Sequence, residues 1–290
     1  MKERSLAKHI AGFGKCYDVF SLFNFKRIGL ESRQFLPERP LDAMFLFSAY
    51  AHERQGRNPR FALIHRRAIL EALGADIYTT ELNSKFAERL LKTDFPKEVW
   101  KNFQRIARKA NWRQTRGPLR DVLERLQKAR QPNIFAHVTN MQVPEARSWL
   151  AKIRGIGPKI SSFIVRDWFS FAGKRVADQE LWLAQPVDLW VRFWSKRCWQ
   201  DIPSKGQHDK CSIAIAVRCR DEGIDAIAFN KGAWFVGANF SYLCALHELN
   251  EMSQLLLPLP SAMPSEVWEL DPQKVTSALQ AYDGKAILIL

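Results

Sequence analysis

The sequence predicts an all-α protein, and two observations support this prediction. Apolar residues recur every three or four positions in five segments, which is the spacing of one buried helical face. Glycine and proline interrupt this pattern where helices should end, at Gly74, at Gly117-Pro118 and at Gln131-Pro132. The five predicted helices span residues 41–53, 60–73, 82–91, 96–109 and 119–130.

The charge of the chain is strongly positive and unevenly distributed. Its 290 residues include 44 Lys and Arg against 30 Asp and Glu, a formal net charge of +14. Residues 85–130 hold 14 basic and 5 acidic side chains, whereas 247–290 hold 2 basic and 6 acidic ones. A basic face and an acidic tail are therefore expected. Such a face indicates a polyanionic partner, although a solvated helix surface is the simpler alternative.

Neither a membrane segment nor a metal site is predicted. No apolar run approaches the roughly 18 residues of a spanning helix, and the first 25 residues are broken by Lys8, Lys15 and Asp18. An intracellular protein, of the cytoplasm or nucleoid in a prokaryote, is expected. Its five cysteines include no CxxC pair, so we expect buried free thiols and neither metal nor organic cofactor. They are Cys16, Cys198, Cys211, Cys219 and Cys244.

The most informative segment spans about 144–173. Here an amphipathic stretch runs into Arg154-Gly155-Ile156-Gly157-Pro158-Lys159, and a second apolar stretch follows. Two glycines permit a sharp turn, so the segment predicts helix, hairpin and helix. The hairpin amides and the positive end of the second helix form a cradle for a DNA phosphate. Arg154, Gly155, Ile156 and Gly157 are the predicted backbone-binding residues, unless the hairpin only joins two packed helices.

A second motif lies 29 residues beyond Lys159, where Gln185-Pro186-Val187-Asp188 opens another apolar segment. A hairpin followed by Pro-Val-Asp resembles the helix-hairpin-helix (HhH-GPD) superfamily of DNA glycosylases. The long loop before Pro186 resembles that of the archaeal 8-oxoguanine glycosylase/AP lyases, whereas the four-cysteine cluster of endonuclease III is absent. The resemblance implies a catalytic pair, with Lys159 as nucleophile and Asp188 as its carboxylate partner. Taken alone, Asp188 could be an ordinary helix N-cap.

These residue types suit the implied chemistry. Displacing a base from C1′ of a sugar requires a neutral amine and a negative charge near the developing oxocarbenium ion. A lysine at a helix N-terminus feels the positive end of the dipole, and partial burial further disfavours its ammonium form. Asp188, at the start of its own helix, is expected to stay ionised.

A base pocket is predicted from three further side chains. Asn230 and Trp234 lie four residues apart on one face of a predicted helix, in a segment (223–237) similar to that of the archaeal enzymes. An amide can meet a base edge, and an indole can stack on an extruded base. Phe163, one turn after Lys159, would form the opposite wall. Each of these aromatic side chains could equally belong to the core.

The resemblance implies a two-lobed fold with the active site between the lobes. One lobe would span 41–185, the other would combine 1–40 with 186–250, and 251–290 would form a proline-containing linker and acidic tail. The expected partner is double-stranded DNA containing a damaged or modified base, bound by a monomer.

The expected function is that of a bifunctional DNA glycosylase/AP lyase, with 8-oxoguanine as the favoured base and a lysine Schiff base as intermediate. Two alternatives remain open. One is a monofunctional glycosylase for another modified base, and the other is a non-catalytic helix-hairpin-helix protein that binds DNA. The opposite base, and a role in repair or in defence, are not fixed by the sequence.

Overall fold

The structure is a computed structural model that describes residues 5–27, 33–52, 60–109, 118–203, 208–249 and 271–281. These residues form 14 α-helices, two short 3-10 helices and no strand, which confirms the all-α prediction. The chain divides into two compact units, Leu30–Ala184 and Met1–Gly29 with Gln185–Leu290.

The helices are numbered along the chain. They are α1 (Leu6–Gly12), α2 (Gly14–Arg27), α3 (Pro40–His52), α4 (Arg60–Ala72), α5 (Leu82–Leu90), α6 (Phe95–Lys109), α7 (Pro118–Lys128), α8 (Ile134–Thr139), α9 (Val143–Ala151), α10 (Pro158–Phe171), α11 (Leu189–Cys198), α12 (His208–Asp221), α13 (Ala226–Leu249) and α14 (Pro272–Ala281). The 3-10 helices are Arg33–Glu38 and Asp178–Ala184.

The five helices predicted from periodicity correspond to α3 to α7, with ends that agree within two residues. At the end of α4, Gly74 has φ +67°, and the amide of Ala75 donates to Leu70 O over 2.9 Å. This is the left-handed helix cap that favours glycine. The end of α7 has the same geometry without a glycine, because Arg130 adopts φ 51°. The predicted stop at Gln131-Pro132 is therefore formed one residue earlier.

In the unit Leu30–Ala184, α3 is buried along nearly its whole length and packs against α4, α5 and α10. A buried polar contact joins α3 to α10. The Tyr50 hydroxyl donates to Asp167 Oδ2 over 2.7 Å, and Arg166 Nε lies 2.7 Å from Asp167 Oδ1. Because all partners are buried, this contact fixes the position of α10 relative to α3.

In the other unit, α13 is the central helix and packs against α1, α2 and α11. Its approach to α1 is close at Gly232, where a Cβ atom would lie 1.9 Å from Ile10 O. Gly14 approaches α13 in the same way, with Ala228 O 2.8 Å from its would-be Cβ. Glycine is required at both positions, since any side chain would push these helices apart.

The segment expected to form a linker and acidic tail contains a packed helix. Helix α14 contacts α2, and the Cys16 sulfur lies 3.1 Å from Thr276 Oγ1. Pro272 begins α14, in agreement with the preference of proline for the first helical position. Residues 272–281 thus belong to the fold of this unit.

Candidate active site

The predicted helix-hairpin-helix is present as α9, a tight turn and α10. Gly155 has φ +87°, a conformation that favours glycine, and the amide of Ile156 donates to Ile153 O over 2.9 Å. Ile153 and Ile156 are both buried and anchor the turn. The hairpin geometry therefore follows from one glycine and two isoleucines.

Gly157 differs from Gly155 because the fold does not require a glycine there. Its φ is −94°, which other residues adopt, and a Cβ atom would meet no atom within 4 Å. It is the N-cap residue of α10, and no side chain of the described residues caps this helix. Among all residues that the structure describes, the amides of Gly155, Gly157 and Lys159 have no hydrogen-bond partner. Three donors at the positive end of a helix are an anion-binding arrangement.

Two of the four predicted backbone-binding residues, Arg154 and Ile156, have amides that already donate a hydrogen bond within the fold. Besides the bond of Ile156, the amide of Arg154 donates to Asp121 Oδ2 over 2.7 Å. Arg125, paired with Asp121 at 3.1 Å, donates to Lys152 O over 2.8 Å. Helix α7 thus holds the hairpin at two points, a contact that the sequence gives no means of predicting.

Lys159 is the second residue of α10 and is half-buried. Among the described residues, its ammonium group has neither a hydrogen bond nor an ion pair. Every other functional group of the hairpin is a backbone amide or an exposed side chain. Lys159 is therefore the side chain through which the N-terminus of α10 could react with a bound ligand.

Asp188 lies in the other unit, at the start of α11. Its Oδ1 accepts a hydrogen bond from the amide of Val191 over 2.9 Å, so it is the N-cap of this helix. The side chain is half-buried. The capping role considered from the sequence is thus present in the structure, and it fixes the carboxylate at the N-terminus of α11.

The predicted pocket residues differ in their accessibility. The Phe163 ring is fully buried, with the Arg166 guanidinium 4.8 Å from its centroid. Asn230 is fully buried as well, and its Nδ2 donates to Pro186 O over 3.2 Å. Trp234, one turn further along α13, is half-buried and meets the Tyr17 ring edge to face at 5.4 Å. Of the three, only Trp234 presents exposed surface.

The described cysteines have raised thiol pKa values. Burial raises the pKa of Cys16 to about 11, and burial with the nearby Glu222 carboxylate raises that of Cys198 to about 12. Cys16, Cys211 and Cys219 are buried as expected, whereas Cys198 is half-buried. All four are free thiols, and the Cys244 side chain lies outside the described residues. Within those residues, no cluster of three or more His, Cys, Asp or Glu side chains could hold a metal ion.

Basic side chains follow one face of α6. Lys97, Lys101, Arg105 and Arg108, spaced by four, four and three residues, form a stripe of exposed cations that we call the basic stripe. Arg105 is paired with Glu71 of α4. None of the described helices is both long and apolar enough to span a bilayer.

Comparisons of the chain with protein-family models, with curated proteins and with solved structures give no match.

Proposed function

We propose that this chain is a helix-hairpin-helix DNA glycosylase with AP lyase activity, in which Lys159 is the nucleophile and Asp188 the carboxylate that assists it. The observation that carries the proposal is the N-terminus of α10. It combines a glycine that the fold does not need, amides without partners among the described residues, and a half-buried lysine in the first turn. A phosphate that accepts hydrogen bonds from the amides of Gly155 and Gly157 would bring the adjoining nucleotide to Lys159.

The reaction begins at C1′ of the damaged nucleotide. The lone pair of a neutral Lys159 Nζ forms a bond to C1′, the C1′–N glycosidic bond breaks, and its electron pair leaves with the base, which takes a proton from solvent. The Asp188 carboxylate stabilises the positive charge that develops on the sugar. The amine must be neutral at this step, because only the lone pair of an uncharged nitrogen can form the bond to C1′.

Strand cleavage follows from the covalent intermediate. The nitrogen loses a proton, the sugar ring opens and a Schiff base forms between Nζ and C1′. Removal of a C2′ proton lets the C3′–O bond break, and its electron pair leaves with the 3′ phosphate. Water then hydrolyses the Schiff base and restores Lys159.

The proposed substrate is 8-oxoguanine in duplex DNA. It rests on the resemblance of 223–237 to the archaeal enzymes and on the partly exposed indole of Trp234, since stacking on an aromatic ring typically contributes about 1 to 3 kcal/mol per base. A panel of duplexes that carry oxidised, deaminated, alkylated or methylated bases tests this assignment. Release of another base, with 8-oxoguanine ignored, would overturn the substrate and leave the glycosylase proposal intact.

Borohydride trapping tests the mechanism. Reduction of the Schiff base links the protein covalently to lesion-containing DNA, and Lys159→Gln should abolish both this adduct and the strand nick. Lys152→Gln is the matched control, because Lys152 is an exposed lysine at the end of α9 and its loss removes the same charge. Base release without a nick would favour a monofunctional glycosylase, and binding without release a non-catalytic DNA-binding protein.

A further inference from the structure

The segment Gln185–Val187, which leads into Asp188, is held on both sides by hydrogen bonds. Gln185 contributes two of them: its side-chain Nε2 donates to Ala226 O over 3.0 Å, and its carbonyl accepts from Ser212 Oγ over 2.9 Å. Gln185 and Ser212 are fully buried, so neither group could exchange its partner for water.

The next two residues are anchored by α13 and α12. Pro186 O accepts from Asn230 Nδ2 over 3.2 Å, and the amide of Val187 donates to His208 Nε2 over 3.2 Å. A nitrogen that accepts a hydrogen bond carries no proton, so the ring proton of neutral His208 is on Nδ1, which lies 3.0 Å from Asp209 Oδ1. Three consecutive residues are thereby fixed from outside the segment.

We propose that Asn230 and His208 are positioning residues that hold the Asp188 carboxylate in place through Pro186 and Val187. Asp188 is fixed on its other side by the Val191 amide, so the carboxylate lies between two anchored points. Its assignment as the carboxylate of the reaction rests on the proposed function, whereas the anchoring does not. Asn230 acts through this contact and does not read the edge of a base.

The two roles of Asn230 make opposite kinetic predictions. If it positions Asp188, Asn230→Ala lowers the rate of base release by about ten- to hundredfold, since a small displacement of a reacting group has an effect of this size. The ratio of rates for oxidised and normal guanine then stays the same. If Asn230 reads the base, this ratio changes and the positioning role is overturned.

A double-mutant cycle shows whether the effect passes through Asp188. In an Asp188→Asn background, Asn230→Ala should slow base release by no more than about twofold, because the carboxylate that it positions is already absent. Equal fold losses in both backgrounds would overturn the proposal. Cys219→Ala, which truncates a buried side chain of α12 outside the anchors, controls for loss of packing and should keep the wild-type rate.

Amide hydrogen exchange tests the anchoring without any activity. In the full-length protein, Asn230→Ala and His208→Ala should each speed exchange at the Val187 and Val191 amides by about tenfold or more. The His208→Gln variant should keep much of the protection, because its side-chain oxygen can accept a hydrogen bond from the Val187 amide. Unchanged exchange in both alanine variants would overturn the positioning role. Faster exchange in a protein that releases no base would refute the glycosylase proposal alone.

Discussion

Asp188 combines a structural contact with a proposed chemical role, and two substitutions separate them. Asn is as good an N-cap as Asp, so Asp188→Asn should keep the free energy of unfolding within about 0.5 kcal/mol of wild type while reducing base release by orders of magnitude. Asp188→Ala should reduce base release in the same way and should also lower the free energy of unfolding by about 1 kcal/mol, because alanine cannot cap the helix. Denaturant unfolding and single-turnover base release measure the two effects. Turnover of Asp188→Asn within about threefold of wild type would leave Asp188 as a cap only.

His65 makes the stability of its unit depend on pH. It is fully buried, its Nδ1 lies 3.3 Å from Ser48 Oγ, and burial, together with the neighbouring His52, lowers its pKa well below the ordinary 6.5. The folded protein therefore keeps His65 neutral, whereas the unfolded chain binds a proton below pH 6.5. Stability must fall as pH decreases from 6.5, by up to about 1.4 kcal/mol per pH unit for this proton.

We expect His65→Phe to remove this contribution. The free energy of unfolding is measured in denaturant between pH 7 and pH 5. Below pH 6.5, its decrease per pH unit should be smaller in His65→Phe than in wild type, and the difference should correspond to the uptake of about one proton on unfolding. Ser48→Ala is the control, because it removes the hydrogen bond of His65 but leaves the ring, and its slope should equal that of wild type. Parallel slopes for wild type and His65→Phe would contradict a neutral buried His65.

At the scale of single elements, helices are predictable from sequence because their periodicity is local. Each of α3 to α7 is specified by its own apolar spacing and by a nearby stop. The contacts that finish the candidate site are not local. Asp121 meets the hairpin 33 residues away, and Asn230 meets Pro186 across 44 residues. No spacing in the sequence indicates either of these two contacts. From sequence, Asn230 is therefore interpreted by the chemistry of its amide as a base reader, and its contact with Pro186 is not predicted.

The hairpin itself provides a paired test. Gly157→Ala fits the observed φ and meets no atom, so it should leave stability unchanged or raise it by about 0.4 to 1 kcal/mol. Its affinity for duplex DNA should nevertheless fall, since a methyl group at the N-cap of α10 would crowd a phosphate bound to the neighbouring amides. Gly155→Ala should instead destabilise the fold, because φ +87° strains any other residue. If Gly157→Ala binds DNA as tightly as wild type, the amides of α10 do not hold a phosphate.

At the scale of the whole molecule, the excess of cations bears on binding more than on stability. Three arginines of the basic segment 85–130 already form ion pairs. They are Arg89 with Glu98, Arg105 with Glu71 and Arg125 with Asp121. These side chains are partly or fully exposed to solvent, and ion pairs at a protein surface contribute little to folding. The lysines of the basic stripe remain exposed, and they are the side chains through which a net charge of +14 could act on a polyanion.

The salt dependence of DNA binding tests this distribution of charge. Each phosphate that the protein neutralises contributes about 0.9 to the slope of log affinity against log salt. A protein that contacts six phosphates would therefore bind about a thousandfold more weakly at about 200 mM salt than at about 50 mM. Lys101→Gln should lower this slope by about one and weaken all duplexes equally, with or without a lesion. Lys274→Gln removes an exposed lysine of α14, within the acidic C-terminal region, and should leave the slope unchanged. A slope near zero for wild type, or equal effects of the two substitutions, would exclude the basic stripe as a DNA-binding surface.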